Sequence, residues 1–421
     1  MKLLRQFPLL LSLLAITLPL SRAYGDNYTC HFAPSVPEDR RPNPNRLRLV
    51  QYNVDFFFLD QSSGGLVCPG TDCPWPDAAT AQAHALRVAT VLKELRPDIV
   101  NLCEVEGCDE MQWLARHLND AESEEEMERG DGGRERQGGF YNYYLLKGQD
   151  TFTGQNTALL TRVDPSMNLN RSISTYPYPL PGTQCGWEGG REGGRERLRL
   201  RQQYGDRIVG SGGEGEGGGG GEEGKEGHAG VSKHYFTTFE LEVEGERVKL
   251  AVVGIHFLAR PTDPQRCAER EAQAMVVREV VEGLVVEGYE VVVLGDFNDY
   301  DGSIPDVNNN EPTSRVLDIM KGGDNLLGSA ASFVPQSDRW TDWWDRNGNC
   351  RVDAPQELDM IDHVFLTQRL MGQVVAVYIY HAYDEFCGSL DSDHYPIVVD
   401  LEWGEGGREG GREGGPALSL V

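Results

Sequence analysis

Positive charge is scarce in this sequence. Its 39 lysines and arginines stand against 66 aspartates and glutamates, which gives a formal net charge of −27 at pH 7. A surface of that sign repels the phosphates of nucleic acids and of membranes, so tight non-specific binding to DNA is not expected. Catalysis on an anionic substrate stays open, because a bound cation can reverse the sign of the charge locally.

Long apolar runs are absent after the N-terminus. No later stretch approaches the roughly eighteen apolar residues of a membrane span, and the apolar C-terminal end is too short for a lipid-anchor signal. At the start, Lys2 and Arg5 precede an apolar run at 9–20, and Ser21-Arg22-Ala23 has the small residues that a signal peptidase recognises. We therefore expect residues 1–23 to be a secretion signal and the mature protein to be extracellular, without a stable membrane anchor.

Nine cysteines in an exported chain predict disulfide bonds and leave at least one thiol without a partner in the same chain. Cys68 and Cys73 flank a turn-like Pro-Gly-Thr-Asp spacer that could close a small loop. Cys103 lies in a predicted buried strand and is the expected free thiol. Asn27 and Asn170 each begin an Asn-X-Ser/Thr tripeptide, which makes them candidate glycosylation sites in an exported protein.

Compositionally biased segments divide the chain. Residues 121–139 are rich in Glu, Gly and Arg, and residues 188–230 repeat Glu-Gly-Gly-Arg before a polyglycine run. Neither segment can bury apolar surface, so both are predicted to be disordered insertions. The repeat returns at 404–421 as a low-complexity tail. The remaining sequence predicts a single domain over residues 24–403.

Helical and strand patterns alternate along this domain. Asp77 is a predicted N-cap of a helix that ends before Pro97, and helical periodicity returns over 269–286. Two segments, 235–243 and 248–255, have strand character and are separated by a Glu-Gly turn, as in a hairpin.

The segment Val291 to Leu294 has four consecutive apolar residues and predicts a strand buried on both faces, ended by Gly295. Strands outnumber helices, and the helices fall singly between them. This pattern favours an α/β fold, a four-layer α/β sandwich in which two packed mixed β-sheets are flanked by helices.

Polar residues lie at or near the ends of the predicted strands. Asp296 and Asn298 are two positions apart and therefore point the same way. Residues at one edge of a layered sheet would gather into one site, and sites are usually built on loops at such an edge. In chain order, the candidates are Asn53, Glu104, His256, Asp296, Asn298, Asp362, Asp393 and His394.

These side chains form a complete set for metal-assisted hydrolysis. Carboxylates bind magnesium, with water and substrate phosphate filling the remaining positions of the octahedron. A histidine held by a neighbouring carboxylate can take a proton from water.

The candidates resemble the endonuclease/exonuclease/phosphatase superfamily, which includes pancreatic-type deoxyribonucleases, abasic-site endonucleases, neutral sphingomyelinases and deadenylases. Six short motifs occur in the family's order over about 46–402, and six in order are far more specific than one. They are Tyr52-Asn53-Val54, Leu102-Cys103-Glu104-Val105, Ile255-His256-Phe257, Gly295-Asp296-Phe297-Asn298, Ile361-Asp362-His363-Val364-Phe365 and Ser392-Asp393-His394-Tyr395-Pro396.

The resemblance implies a site for Mg²⁺ or Mn²⁺ and a phosphate-binding site. Glu104 would be the principal metal ligand, assisted by Asp393. Asp296 would orient the attacking water or bind a second cation. Asn53 and Asn298 would donate hydrogen bonds to the phosphate.

The resemblance also implies the proton-transfer groups. His394 would be the general base, fixed by Asp362, and His256 would protonate or stabilise the leaving oxygen. Where many members have Asn-Thr-His, this chain has Gly254-Ile255-His256, so an auxiliary hydrogen bond is expected to be missing. Asn156 begins a segment that in relatives lies near the phosphate; it is interpreted either as a phosphate contact or as a turn residue.

An acidic segment near the C-terminal end of the domain admits two interpretations. Its spacing of oxygen ligands resembles that of a calcium loop, although the glycine and the final acid are displaced; the alternative is an Asx-rich turn. The residues concerned are Asp345, Asn347, Asn349 and Asp353.

Together these features predict a secreted, metal-dependent phosphodiesterase, most simply an endo- or exonuclease whose substrate is nucleic acid. A phospholipid hydrolase of the sphingomyelinase type, or a hydrolase of another phosphoester, is an alternative within the same chemistry. A catalytically weak extracellular binding protein is the alternative from another class. No protein partner is inferred.

Overall fold

The structure is a computed structural model. It describes residues 29–59, 75, 77–128, 140–150, 153–183, 185, 227–261, 263–345, 348–352, 357–381 and 392–404. The predicted secretion signal, the Cys68–Cys73 spacer and all but the first residue of the predicted tail lie outside these ranges. Among the described residues, no helix has the length and apolar character that crossing a bilayer requires.

Seven strands form the larger of two main sheets. They are β1 (Thr29–Cys30), β2 (Arg46–Phe57), β3 (Ile99–Val105), β4 (Asn142–Leu146), β5 (Asn156–Thr161), β15 (Val374–Ile379) and β16 (Ile397–Glu402). Their order across the sheet is β1-β4-β5-β3-β2-β16-β15. Strands β2 and β3 run parallel and the other neighbours run antiparallel, so the sheet is mixed.

Five strands form the smaller main sheet. They are β8 (His234–Val243), β9 (Glu246–His256), β10 (Glu290–Asp296), β11 (Leu327–Ser329) and β14 (Asp362–Thr367). The order is β11-β14-β10-β9-β8, with β9 and β10 parallel and the remaining pairs antiparallel. Two short ribbons pair β6 (Tyr176–Tyr178) with β7 (Gly227–Ala229), and β12 (Asp342–Trp343) with β13 (Leu358–Asp359).

Five described α-helices and three single turns of 3₁₀ helix connect these strands. The α-helices are α1 (Ala78–Leu95), α2 (Cys108–Glu128), α3 (Pro264–Val286), α4 (Val316–Lys321) and α5 (Gln368–Met371). The 3₁₀ turns are Gly323–Asn325, Ala330–Phe333 and Gln336–Asp338.

Alternation along the strands produces three hydrophobic interfaces. In β10, Val292 and Leu294 point into the core between the two sheets, where they share a cluster with Leu49 of the larger sheet. Val291 and Val293 point the other way and pack with the inner side of α3. A third cluster joins the outer face of the larger sheet to α1 and α2. The layers therefore run helix, sheet, sheet, helix, which confirms the predicted four-layer α/β sandwich.

Local sequence signals explain where the elements begin and end. The Asp77 carboxylate accepts a hydrogen bond from the Thr80 backbone N–H at 2.8 Å and so caps α1. The helix stops at Arg96, in the left-handed region before Pro97. The β8–β9 hairpin turns at Glu244 and Gly245, both with positive φ, as a two-residue turn requires. The predicted helix start and hairpin are confirmed.

The structure corrects the limits of both predicted insertions. Helix α2 continues to Glu128, so 121–128 is helical rather than disordered. Composition identified the polarity of this stretch but ignored the high helix propensity of Glu, Met and Ala. Strand β7 occupies Gly227–Ala229 and pairs with β6, so the second insertion ends earlier than predicted. The remaining parts, 129–139 and 188–226, lie outside the described residues.

Two disulfides tie distant segments to the sandwich. Cys30 of β1 is bonded to Cys108 at the start of α2, and Cys185 is bonded to Cys267 in α3. Among the described cysteines, Cys103 is free and buried, as predicted.

Candidate active site

The candidate site is the polar end of the core between the two sheets. Strand β2 directs Leu47 and Leu49 into this core, and two residues later the same face carries Gln51 and then Asn53. The other strands change in the same way from apolar to polar side chains on their inward faces. Period-two alternation thus brings together Asn53 from β2, His256 from β9, Asp296 from β10 and Asp362 from β14.

The smaller sheet delivers its residues through regular pairing. Asp296, at the end of β10, lies opposite His256 of parallel β9 and opposite Asp362 of antiparallel β14. The close approach of β9 and β10 requires Gly295, since a Cβ there would lie 2.0 Å from the Ile255 carbonyl oxygen. Three predicted site residues are therefore adjacent because of the strand register alone.

The larger sheet delivers Glu104 through a β-bulge. Between the pairs Asn53–Cys103 and Phe57–Val105, β2 contains three residues, whereas β3 contains only Glu104. Register also shifts between β3 and β5 at this point, so Glu104 is released from the regular ladder on both sides.

The bulge holds strained backbone. Asp55, Phe56 and Glu104 have φ of 44°, 51° and 68°, and each such non-glycine residue costs on the order of 1–3 kcal/mol. The Phe56 backbone N–H donates to Glu104 Oε2 at 3.1 Å and fixes the orientation of the carboxylate.

Asn53 connects the two sheets at the site. Its side-chain nitrogen lies 3.3 Å from Glu104 Oε1, 3.2 Å from Asp296 Oδ2 and 3.3 Å from His394 Nε2. An amide group has two N–H donors, so it can serve the two carboxylates at once. The predicted metal ligands Glu104 and Asp296 and the predicted general base His394 therefore surround the amide of Asn53, the predicted phosphate donor.

His394 is held by a chain of buried polar groups. Its Nδ1 lies 2.7 Å from Asp362 Oδ2, and Gln51 donates to Asp362 Oδ1 at 3.0 Å. Asn101 in turn donates to the Gln51 carbonyl oxygen at 2.6 Å. Burial on its own would lower the pKa of His394, but the Asp362 carboxylate raises this pKa well above its ordinary value. The pair leaves Nε2 of His394 facing the other acids.

Further carboxylates lie beside Nε2 of His394. Asp342 Oδ1 is 3.8 Å and Asp393 Oδ1 is 3.9 Å from this nitrogen. Burial raises the pKa of Glu104 and of Asp393, and it raises that of Asp342 well above its ordinary range.

Asp296 is affected in the same way. Burial, then the charge of Asp362, raises the pKa of Asp296 to about 7. Crowded buried acids cannot all ionise unless positive charge joins them.

The donor set fits a divalent cation. Two groups of three side chains have their ligand atoms within 4.8 Å of one another, the first made of Asp296, Asp362 and His394 and the second of Asp342, Asp393 and His394. Carboxylate oxygens are the ligands that hard divalent cations prefer. Glu104 belongs to neither group and reaches the first through Asn53.

His256 lies on the opposite side of this cluster. Its Nε2 is 3.7 Å from Asp296 Oδ2, 3.9 Å from Glu104 Oε1 and 3.4 Å from the Nζ of Lys233. Burial, and next the charge of Lys233, lowers the pKa of His256 well below its ordinary value. The imidazole is therefore neutral at physiological pH.

Asn298 and Asn156, the two remaining residues predicted to contact phosphate, differ in the groups to which they are hydrogen-bonded. Asn298 donates its backbone N–H to Asp296 Oδ1 at 2.9 Å, and its side chain donates to the Phe257 carbonyl at 3.3 Å, so it orients Asp296. The side chain of Asn156 is bonded to backbone groups. Its amide donates to the carbonyls of Val105, Glu106 and Gly154 and accepts from the Gly148 N–H. An asparagine whose donors and acceptor are all bonded to backbone acts as a turn residue, the second of its two interpretations.

The acidic loop favours the turn interpretation over the calcium site. The Asp345 carboxylate accepts hydrogen bonds from the backbone N–H groups of Gly348, Asn349 and Cys350. These bonds close the loop in the manner of an Asx turn. Asn347 and Asp353 lie outside the described residues.

Sequence reasoning missed four residues of the site. Gln51 is two positions before Asn53 in a strand, so alternation was a usable signal for it, whereas Asp55 lies in the bulge, where alternation breaks. Asp342 is followed by two tryptophans, and Lys233 precedes the predicted hairpin. Neither has a sequence signal that separates it from a surface charge.

Comparisons with known proteins give one family. A sequence profile described as "Endonuclease/Exonuclease/phosphatase family" matches residues 50–394. No curated protein matches by sequence.

Solved structures that resemble the chain include the catalytic domain of Xenopus laevis APE2, with 16% identity, a TM-score of 0.45, and coverage of 85% of this chain and 92% of that chain. The 3'-5' exonuclease NExo from Neisseria meningitidis has 13% identity, a TM-score of 0.45, and coverage of 85% and 100%. Truncated Caenorhabditis elegans TDP2 has 13% identity, a TM-score of 0.44, and coverage of 86% and 99%.

Proposed function

Because this chain belongs to the endonuclease/exonuclease/phosphatase family, we propose that it is a secreted phosphodiesterase that uses Mg²⁺ or Mn²⁺ to hydrolyse nucleic acid. The observation that carries the proposal is the convergence of Glu104, Asp296 and His394 on the single amide of Asn53. These residues come from both sheets and four different segments. A binding module has no need of a paired base beside a cluster of metal-binding carboxylates.

In this proposal each residue has a part in the hydrolysis. Asp362 holds Nδ1 of His394 and directs Nε2 at the site, where Nε2 would take the proton of the attacking water once a cation offsets the neighbouring carboxylates. Glu104, Asp296 and Asp393 would hold the cation, which when bound stabilises the negative charge that develops on the phosphoryl oxygens. Asn53 is placed to donate to one of those oxygens once a cation satisfies its carboxylate neighbours.

A second candidate substrate is a smaller phosphoester, such as a phospholipid head group of the sphingomyelin type. The net charge of −27 favours it, since a long polyanion is repelled by such a surface. Cleavage of DNA by this chain would therefore weaken less at high salt than cleavage by a basic nuclease.

Substrate assays of the purified full chain test the proposal. Plasmid DNA, RNA, sphingomyelin vesicles and bis(p-nitrophenyl) phosphate are each incubated with Mg²⁺, Mn²⁺ or a chelator. His394→Ala serves as the inactive variant, and His117→Ala, at an exposed histidine of α2, is the matched control.

We expect cleavage of DNA or RNA that needs the cation and falls at least a hundredfold in His394→Ala but not in His117→Ala. DNA cleavage that survives chelation or His394→Ala would defeat the mechanism. Hydrolysis of sphingomyelin alone would replace nucleic acid by the second candidate, and no hydrolysis of any substrate would favour a binding protein.

Secretion is tested separately. Cells expressing residues 1–421 should release the protein into the medium, whereas a chain beginning at residue 24 should remain inside. A shift in electrophoretic mobility after glycosidase treatment, lost in Asn170→Gln, would identify the exposed Asn170 as glycosylated. Equal retention of both chains would contradict secretion.

A further inference from the structure

A buried lysine lies at the edge of the candidate active site. Lys233 immediately precedes β8, and its carbonyl accepts a hydrogen bond from the His256 backbone N–H at 2.9 Å, which fixes the two residues side by side. The lysine is only 7% exposed. Lysine is seldom buried to this degree unless its charge is paired.

Lys233 forms a long ion pair with Asp150 and otherwise contacts uncharged acceptors. Its Nζ lies 3.1 Å from Gln155 Oε1 and 3.4 Å from His256 Nε2, and both are neutral groups. The distance from Lys233 Nζ to Oδ2 of Asp150 is 3.8 Å, which is longer than a hydrogen bond. Burying an ammonium mainly among neutral acceptors raises the free energy of the folded protein, and a bound anion would lower it.

The same contacts fix the state of His256. An ammonium group has donors and no acceptor, so Nε2 of His256 must accept the hydrogen bond and is unprotonated. The other ring nitrogen, Nδ1, is buried and has no partner among the described residues. Lys233 is therefore the donor in this contact, and Nε2 of His256 is the acceptor.

The charges around Lys233 define the ligand it would take. Glu104 and Asp296 lie beyond His256, at 3.9 Å and 3.7 Å from its Nε2, and would hold the cation. An anion placed between them and Lys233 would meet positive charge on both sides. In the part of the chain that the structure describes, Lys233 is the basic side chain in contact with a predicted catalytic residue.

We propose that Lys233 is a catalytic residue whose ammonium binds an oxygen of the reacting phosphoryl group. This role rests on the proposed phosphodiesterase function. On substrate binding, the ammonium exchanges its contact with His256 Nε2 for a phosphoryl oxygen, and the leaving oxygen takes its proton from solvent. Lys233 accordingly stabilises charge that grows in the transition state and contributes to kcat as well as to binding.

Kinetics of three substitutions test this role in the full chain with saturating Mg²⁺. Lys233→Met removes the charge and keeps much of the aliphatic stem, Lys233→Arg keeps the charge, and Lys249→Met at an exposed lysine beside Tyr289 is the control. Hydrolysis of bis(p-nitrophenyl) phosphate gives kcat and KM. Competition by inorganic phosphate reports anion binding at the same site.

We expect Lys233→Met to lower kcat/KM about a hundredfold and to weaken inhibition by phosphate about tenfold. Lys233→Arg should recover at least a tenth of the lost activity, and Lys249→Met should match the wild type. Thermal melts establish whether the variants are folded.

The other possible results would overturn either the role of Lys233 or the proposed function. A folded Lys233→Met protein with kcat/KM and phosphate inhibition within threefold of the wild type would show that Lys233 only ties Gln155 to β8, and the proposal would be overturned. An inactive wild type would instead overturn the proposed function. Should Lys233→Met fail to fold, Lys233→Arg and Lys233→Gln decide the point, because both can donate to Gln155 but only the arginine is charged. Equal phosphate inhibition in that pair would reject the role of the charge.

Discussion

The two sheets contribute to one site in opposite ways. The smaller sheet presents His256, Asp296 and Asp362 as direct neighbours in an unbroken ladder. The larger sheet presents Glu104 from a break in the ladder, where Glu104 itself, Asp55 and Phe56 have strained backbone. Regular pairing gives fixed positions at little energetic cost, whereas the bulge directs a carboxylate out of the strand and stores strain in the backbone. Glu104, the proposed metal ligand, is therefore held in place at the greater energetic cost.

Two glycines of the smaller sheet show close packing, one against a neighbouring strand and one against the opposite sheet. Gly295 accommodates the Ile255 carbonyl of the neighbouring strand. A Cβ on Gly254 would lie 2.2 Å from Oδ1 of Asn101, which comes from the opposite sheet. The departure from Asn-Thr-His at this position thus leaves room for an asparagine of β3, and that amide donates to Gln51 behind the Asp362–His394 pair.

The largest effect should come from the bulged side. Glu104→Gln removes a carboxylate while keeping its shape, and we expect kcat to fall about a thousandfold, or about 4 kcal/mol, together with a higher Mg²⁺ concentration for half-maximal activity. Asp362→Asn should lower kcat with the Mg²⁺ requirement unchanged, because it acts through His394. Initial rates across a Mg²⁺ titration measure both, with exposed Glu311→Gln as control. An unchanged Mg²⁺ requirement in Glu104→Gln would contradict the proposal that Glu104 binds the metal while Asp362 acts through the base His394.

The next effect should come from the regular side and concern stability. Gly295→Ala places a methyl group against a backbone carbonyl that cannot move without breaking the β9–β10 ladder, so we expect the free energy of unfolding to fall by about 3 kcal/mol. Urea denaturation measures it. Gly283→Ala in α3 is the matched control, since nothing lies within 4 Å of its added Cβ. That helical substitution should stabilise by up to about 1 kcal/mol. Equal midpoints for the two variants would refute the close approach.

The smallest effect should again come from the bulge, with the opposite sign. Burial, next Asp393 and then Glu104, raises the pKa of Asp55 well above its ordinary value, so its ionised form is unfavourable in the folded protein. Asn tolerates the same positive φ without the charge, and Asp55→Asn should stabilise the protein by about 1 kcal/mol in chelator.

Chemical denaturation with and without Mg²⁺ tests this expectation. The gain should shrink when Mg²⁺ is added, because the cation relieves the repulsion in the wild type. Exposed Asp338→Asn should show neither change. A less stable Asp55→Asn protein in chelator would indicate that the carboxylate supports the bulge rather than opposing it.

The contrast also explains what the sequence could predict. Asn53, Asp296 and Asp362 lie on the inward faces of regular strands, so alternation was enough to group them. The bulge could not be foreseen, because nothing in Asn-Val-Asp-Phe shows that three residues oppose one. Asp342 reaches the site through a two-residue strand, and Lys233 through its link to β9, and both depend on tertiary contacts. Helix α2 was not predicted, and its last residues fall in the predicted insertion, because composition was weighed above propensity.

The buried thiol of Cys103 provides a native probe of the sandwich. It lies between the sheets, donates to the Ile255 carbonyl at 3.3 Å, and has a pKa that burial raises further. The other cysteines that the structure describes are disulfide-bonded. An alkylating reagent can reach this sulfur only when the two sheets separate, so the rate of alkylation measures how often the sandwich opens. Cation binding at the adjacent carboxylates stabilises the closed state and should slow the alkylation.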